Sequence, residues 1–119
     1  MKGLILIAHG SRKALSNTEF KNFVAELKQE ETQYKILSAA FLELADPSIE
    51  EATKELIEEN IKEIYYYPYF LNSGRHILTD IPEIIEKLQE ENKDIKLTLL
   101  PHFGKSEKIK NVVLEDINI

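Results

Sequence analysis

Four short apolar runs, each followed by a stretch with helical periodicity, constrain this chain more than any other feature. Leu4 to Ala8 is continuously apolar, rich in Leu and Ile, and stops at His9-Gly10. A run of that length and composition reads as a parallel strand covered on both faces. A polar loop, Gly10 to Leu15, follows it. Ser16 and Glu19 then have capping-box spacing, and Phe20, Phe23, Val24 and Leu27 form an apolar stripe at i, i+3, i+4, i+7. Tyr34 to Leu42 predicts a second strand. Ser48 and Glu51 repeat the capping-box spacing ahead of Ile49, Ala52, Leu56 and Ile57. Ile64 to Tyr69 predicts a third strand with Pro68 near its end, where a missing amide is tolerated. Thr79 and Asp80 are cap candidates for a helix carrying Ile81, Ile84, Ile85 and Leu88, with Pro82 in its first turn. Ile95 to Leu100 predicts a fourth strand, and Pro101 to Lys105 a turn. Ser106 can cap a last helix through Ile109, Val112 and Val113.

The resulting β-α alternation predicts an α/β fold. Right-handed crossovers place the four strands in one parallel sheet, expected in the order 2-1-3-4, in a three-layer domain flanked by helices. The length of 119 residues fits one domain over 1–119. With no cysteine in the chain, disulfides, thiolate metal sites and cysteine nucleophiles are excluded, so any metal site must use His, Asp, Glu or backbone oxygens. A formal charge of -6 argues against general nucleic-acid binding. No apolar run approaches the roughly 20 residues of a membrane span, and no cleavable leader is evident, so a cytoplasmic location is expected.

In an open parallel sheet, ligands bind beyond the carboxyl ends of the strands. The polar residues that fall there are His9, Gly10, Ser11 and Arg12 after the first strand and Glu43 after the second. Asn72, Ser73, Gly74, Arg75 and His76 follow the third, and His102 the fourth. All three histidines are expected on this edge, outside the helices. Any one alone would serve as a cap or surface group, but their convergence with a carboxylate points to chemistry. Imidazoles and a carboxylate without sulfur suit a borderline divalent ion such as Co²⁺, Ni²⁺, Fe²⁺ or Zn²⁺. Neutral imidazole also accepts a proton near pH 7. His9, Glu43 and His76 would make an open site, better suited to passing a metal on than to storing it. Ser11, Arg12, Lys13, Ser73 and Arg75 add donors for an anionic ligand, with Arg12 and Arg75 as carboxylate or phosphate clamps. Gly74 would permit a sharp bend before Arg75-His76. His102, after Pro101, has no supporting neighbours and is expected at a surface turn.

The segments Ala8-His9-Gly10-Ser11-Arg12, Glu43-Leu44-Ala45-Asp46-Pro47-Ser48, Pro68-Tyr69-Phe70-Leu71, Gly74-Arg75-His76 and Asp80-Ile81-Pro82 resemble the signatures of the class II chelatases. The closer resemblance is to the small sirohydrochlorin chelatases, and it runs in order through nearly the whole chain. Leu100-Pro101-His102-Phe103-Gly104 is similar to that family's final loop. The resemblance implies insertion of a divalent metal (Co²⁺, Ni²⁺ or Fe²⁺) into sirohydrochlorin, a tetrapyrrole bearing eight carboxylates. The metal is then a substrate, with no tightly bound cofactor. The family's two histidines map onto His9 and His76 and its acidic residue onto Glu43, as metal ligands and proton acceptors. Ser11, Arg12, Ser73, Gly74 and Arg75 would hold substrate carboxylates, while Tyr69, Phe70 and Leu71 would flank the macrocycle. His102 has no role in the pattern.

The longer chelatases resemble two such domains facing each other, so this domain is equivalent to half of one. A flat macrocycle needs a cleft with two walls, which implies a homodimer with the active site between subunits. Two other functions compete. A metal or tetrapyrrole carrier would use the same residues. A histidine phosphatase also has a His-Gly after its first strand, but here Ala8 stands where an arginine would be expected.

Overall fold

In the computed structural model, which describes residues 1–118, the apolar run after Met1 becomes the interior strand β1 (Lys2–Ala8). It is followed by α1 (Ala14–Leu27), β2 (Ile36–Phe41), α2 (Ile49–Glu58), β3 (Glu63–Pro68), α3 (Ile81–Glu91), β4 (Lys96–Leu99) and α4 (Lys108–Ile117). The strands form one sheet in the order β2-β1-β3-β4, and all three pairings are parallel. The observed strands differ from the sequence expectations by one or two residues at their ends. Residues such as Tyr34 and Leu42 continue the apolar pattern beyond the strand ends.

Alternate side chains of β1 enter opposite cores. Ile5 and Ile7 pack with Ile49, Leu56, Ile64, Tyr66, Ile81 and Ile85, on the face covered by α2 and α3. Leu6 packs with Phe20, Val24, Leu37 and Phe41, on the face covered by α1. Ile5, Ile7, Ile64 and Tyr66 are completely buried, and burial of a side chain of this size stabilises by about 1.5–3 kcal/mol. Burial also raises the Tyr66 phenol to about 12. Its hydroxyl is 2.8 Å from Thr53 Oγ1, which donates to the Ile49 carbonyl at 2.8 Å. This buried polar pair is therefore satisfied. No residue of α4 is buried, so that helix does not complete a layer. Among the described residues no helix is long and apolar enough to cross a membrane.

Several helix starts depart from the sequence expectation. Ser48 and Glu51 do form the capping box of α2, Glu51 N–H donating to Ser48 Oγ at 3.1 Å and Ser48 N–H to Glu51 Oε1 at 2.9 Å. Ser16 and Glu19 do not, because α1 already begins at Ala14 with Lys13 as its cap. Instead Asn17 reaches back to the loop, its Oδ1 accepting Ser11 N–H at 2.9 Å and its Nδ2 donating to Ser11 O at 2.7 Å. Asp80 occupies the cap position of α3 but makes no side-chain cap bond, and Thr79 lies inside the preceding turn. A π-helical turn, His76–Asp80, runs directly into α3, so His76 lies in helical backbone. Pro82 is in the first turn of α3, as expected. Ser106 Oγ accepts the Lys108 amide at 3.2 Å, although the cap position of α4 is Glu107.

Candidate active site

Chain reversal in the sheet creates the site. The β1-to-β2 connection moves outward in one direction, and the β2-to-β3 connection crosses back over β1. Between β1 and β3 lies the topological switch point, where diverging loops leave a crevice beyond the strand ends. The loops after these strands carry His9 and His76. Their ring centroids are 4.8 Å apart.

Glu43 is brought to His9 by backbone pairing that outlasts β2. Leu42 N–H donates to Ala8 O at 2.9 Å and Glu43 N–H to His9 O at 3.0 Å. The crossing is so close that a Cβ on Gly10 would lie 1.7 Å from Glu43 O, and Gly10 has φ +97°. Only glycine meets both demands. The next residue on the other loop, Leu44, is itself at φ 65°, a conformation that costs a branched side chain on the order of 1–2 kcal/mol. His9 Nε2 ends 3.4 Å from Glu43 Oε2. Its other nitrogen, Nδ1, is 3.0 Å from Gly10 O. A carbonyl oxygen only accepts, so in this contact Nδ1 is the donor, and the ring in its neutral form would present its lone pair at Nε2. His76 Nδ1 is 2.8 Å from Asp80 Oδ2, and Arg75 Nε is 4.0 Å from Asp80 Oδ1. His9, Glu43 and His76 are all partly open to solvent, with side-chain exposures of 44%, 51% and 39%. Among the described residues no three His, Asp or Glu side chains are grouped so as to hold a metal ion. The arrangement is a pair of groups with a second imidazole beside it.

The surrounding residues divide. Phe70 stands against both imidazoles, with ring centroids 6.4 Å from His9 and 6.5 Å from His76. Tyr69 points away and does not flank the site. It packs on Phe20, Phe23 and Phe103 at 5.6, 5.1 and 5.1 Å, as alternation along an extended strand end requires. Ser11 Oγ accepts Lys13 N–H at 3.0 Å, which leaves its own hydroxyl proton to donate. Arg12, Ser73, Gly74 and Arg75 are exposed. Arg75, with its side chain 86% exposed, stays open to solvent beside Asp80. Gly74 has open space where a Cβ would be and lacks the positive φ of Gly10, so no sharp bend depends on it. Leu71, 63% exposed, lines with Ser73, Ile77, Leu99, His102 and Lys105 a cavity of about 640 Å³ whose lining includes none of His9, Glu43 and His76.

His102 corrects the sequence expectation of a surface histidine, being 9% exposed. Its loop is drawn inward by Gly104 N–H donating to Phe70 O at 2.9 Å, and Gly104 passes so close that a Cβ would meet Leu71 O at 1.6 Å. Asn17 and Asp80 are the site residues that sequence reasoning missed. Asp80 was legible as a cap candidate and within the Asp80-Ile81-Pro82 segment of the family resemblance, but not as a partner of His76, and Asn17 had no signal of its own.

The fold is that of the class II chelatases. The chain belongs to the CbiX family, whose model matches residues 3–118. It is 35% identical to a chloroplastic sirohydrochlorin ferrochelatase of Arabidopsis thaliana over 97% of this chain and 51% of that protein. It is 31% identical to a sirohydrochlorin cobaltochelatase of Methanosarcina acetivorans over 97% of this chain and 93% of that one. A crystal structure of a CbiX protein from Marinobacter aquaeolei VT8 superposes with a TM-score of 0.82 at 27% identity, covering 99% of this chain and 98% of that one. Several curated relatives are longer: the chain spans 51% and 44% of the Arabidopsis and Priestia megaterium ferrochelatases.

Proposed function

We propose that this chain inserts a divalent metal ion into sirohydrochlorin, using His9, Glu43 and His76. The observation that carries the reading is the 3.4 Å separation of His9 Nε2 and Glu43 Oε2. Two ligands at about 2.1 Å from a tetrahedral ion lie about 3.4 Å apart, whereas a direct charge-assisted hydrogen bond would draw them to roughly 2.7–2.9 Å. The two atoms are spaced as one edge of a coordination shell. The rest of the shell stays open for water, for the second imidazole and finally for the macrocycle nitrogens. Such an N/O set takes Co²⁺, Ni²⁺ and Fe²⁺ alike, and cellular supply selects among them. Ferrochelatase and cobaltochelatase relatives support the substrate class.

Insertion exchanges two pyrrole N–H protons for one M²⁺, so the site must deliver a partly dehydrated cation and accept protons. Neutral imidazole does both. Phe70 and Leu71 supply an apolar wall for the macrocycle. Ser11, Arg12, Ser73, Arg75 and the Gly74 amide supply donors for its carboxylates. The chain provides one wall of a cleft, and we infer that a second copy provides the other. Support comes from relatives about twice as long and from α4, whose Val112, Val113 and Ile117 are 55%, 48% and 64% exposed.

The test is turnover. Substoichiometric protein mixed with sirohydrochlorin and Co²⁺ is expected to metallate many equivalents of tetrapyrrole above the spontaneous rate. Acceleration limited to one equivalent per chain would instead identify a carrier.

A further inference from the structure

We propose that Asp80 is a positioning residue, its carboxylate holding the His76 imidazole as the Nδ1–H tautomer so that Nε2 is the free nitrogen. The inference deepens the proposed function and rests on it. Its evidence is geometric. Asp80 Oδ2 lies 2.8 Å from His76 Nδ1, a distance typical of a charge-assisted bond. The two residues bracket the π-helical turn His76–Asp80, closed by Ile81 N–H donating to His76 O. A widened turn of this kind is rare and concentrates at functional sites. Arg75 Nε, 4.0 Å from Asp80 Oδ1, lies on the carboxylate's other oxygen and favours one orientation. Buried Ile81 anchors the far end of the turn in the core.

The consequence matches the other half of the site. His9 is held at Nδ1 by the Gly10 carbonyl, and His76 is held at Nδ1 by a carboxylate. Both rings therefore offer Nε2. A carboxylate behind an imidazole fixes its rotation and strengthens it as a donor, and loss of such a partner typically costs about 10–100-fold in metal affinity or activity. An ordinary surface pair four residues apart on a helix contributes little to stability and would leave the chemistry unchanged.

The experiment compares wild type, Asp80→Ala and Asp80→Glu as full chains. The ring nitrogens of His76, assigned by their loss in His76→Ala, are read by long-range ¹H–¹⁵N correlation without metal or tetrapyrrole. Co²⁺ insertion into sirohydrochlorin is read in parallel. Wild type is expected to show the Nδ1–H tautomer. Asp80→Ala is expected to shift to Nε2–H, with kcat reduced about 10–100-fold and KM for sirohydrochlorin within about twofold. Asp80→Glu should recover part of both signals. An unchanged tautomer in Asp80→Ala overturns the proposal, and so does a shifted tautomer with unchanged kcat. The tautomer readout needs no turnover: if wild type inserts no metal, the proposed function falls while the nitrogen spectrum still decides the pairing.

Discussion

Two glycines in the candidate site face opposite demands. At Gly10 a Cβ would lie 1.7 Å from Glu43 O with φ at +97°. Gly10→Ala is expected to lower stability by at least about 1–2 kcal/mol and to separate Glu43 from His9. Gly74 has no neighbour within 4 Å of an added Cβ, so Gly74→Ala should stay within about 0.5 kcal/mol of wild type. Denaturant unfolding of both variants checks the contrast, and equal losses would contradict it. His9, Glu43 and His76 were legible in the sequence because each follows a strand, and strand ends of a parallel sheet converge on one edge. Asp80 was not legible as a partner of His76, since its 2.8 Å contact depends on a widened turn that no periodicity announces. The burial of His102 was hidden for a similar reason. It results from a tertiary bond between the Gly104 amide and the Phe70 carbonyl.

Helix starts show where local patterns decide and where they do not. Ser48 and Glu51 hold each other's amides, so Ser48→Ala should cost about 1 kcal/mol. Those bonds, the Ser48 backbone first and then its hydroxyl, depress the Glu51 carboxyl below its ordinary 4.5. A carboxyl depressed on folding contributes stability above its unfolded value, and the contribution is lost as pH falls through the folded value. Glu51→Gln should therefore lose less stability than wild type on acidification across that window, as read by denaturant midpoints at stepped pH. Identical acid profiles would contradict the box. The same spacing at Ser16 and Glu19 fails because the helix starts earlier, at Ala14, while Asn17 fastens the loop through Ser11. A motif signals a helix start only where the preceding chain is free to stay extended. Alternation and crossover handedness were enough to predict a parallel sheet with helices on both faces, which is why the sheet was more legible than the caps.

At the scale of the molecule, the 50 × 32 × 28 Å body has a two-faced core but a last helix with no buried residue. Ile109, Val112, Val113 and Ile117 share one face of α4 at helical spacing. A second copy covering that face would bring two walls together around a flat macrocycle. Val113→Asp is expected to shift the sedimenting species from dimer to monomer and to reduce insertion with it; a wild-type protein that is active as a monomer would contradict the two-walled cleft. The apolar stripe was visible in the sequence, but only the fold reveals that none of its residues is buried. The central claim is that the two imidazoles at the switch point perform the insertion. It is tested most directly by the initial rate of Co²⁺ insertion into sirohydrochlorin, followed by absorbance, for wild type, His9→Ala and His76→Ala at equal protein concentration. Loss of a group that both holds metal and accepts protons predicts a fall of about 100-fold or more in each variant, and a wild-type rate in either would contradict the account.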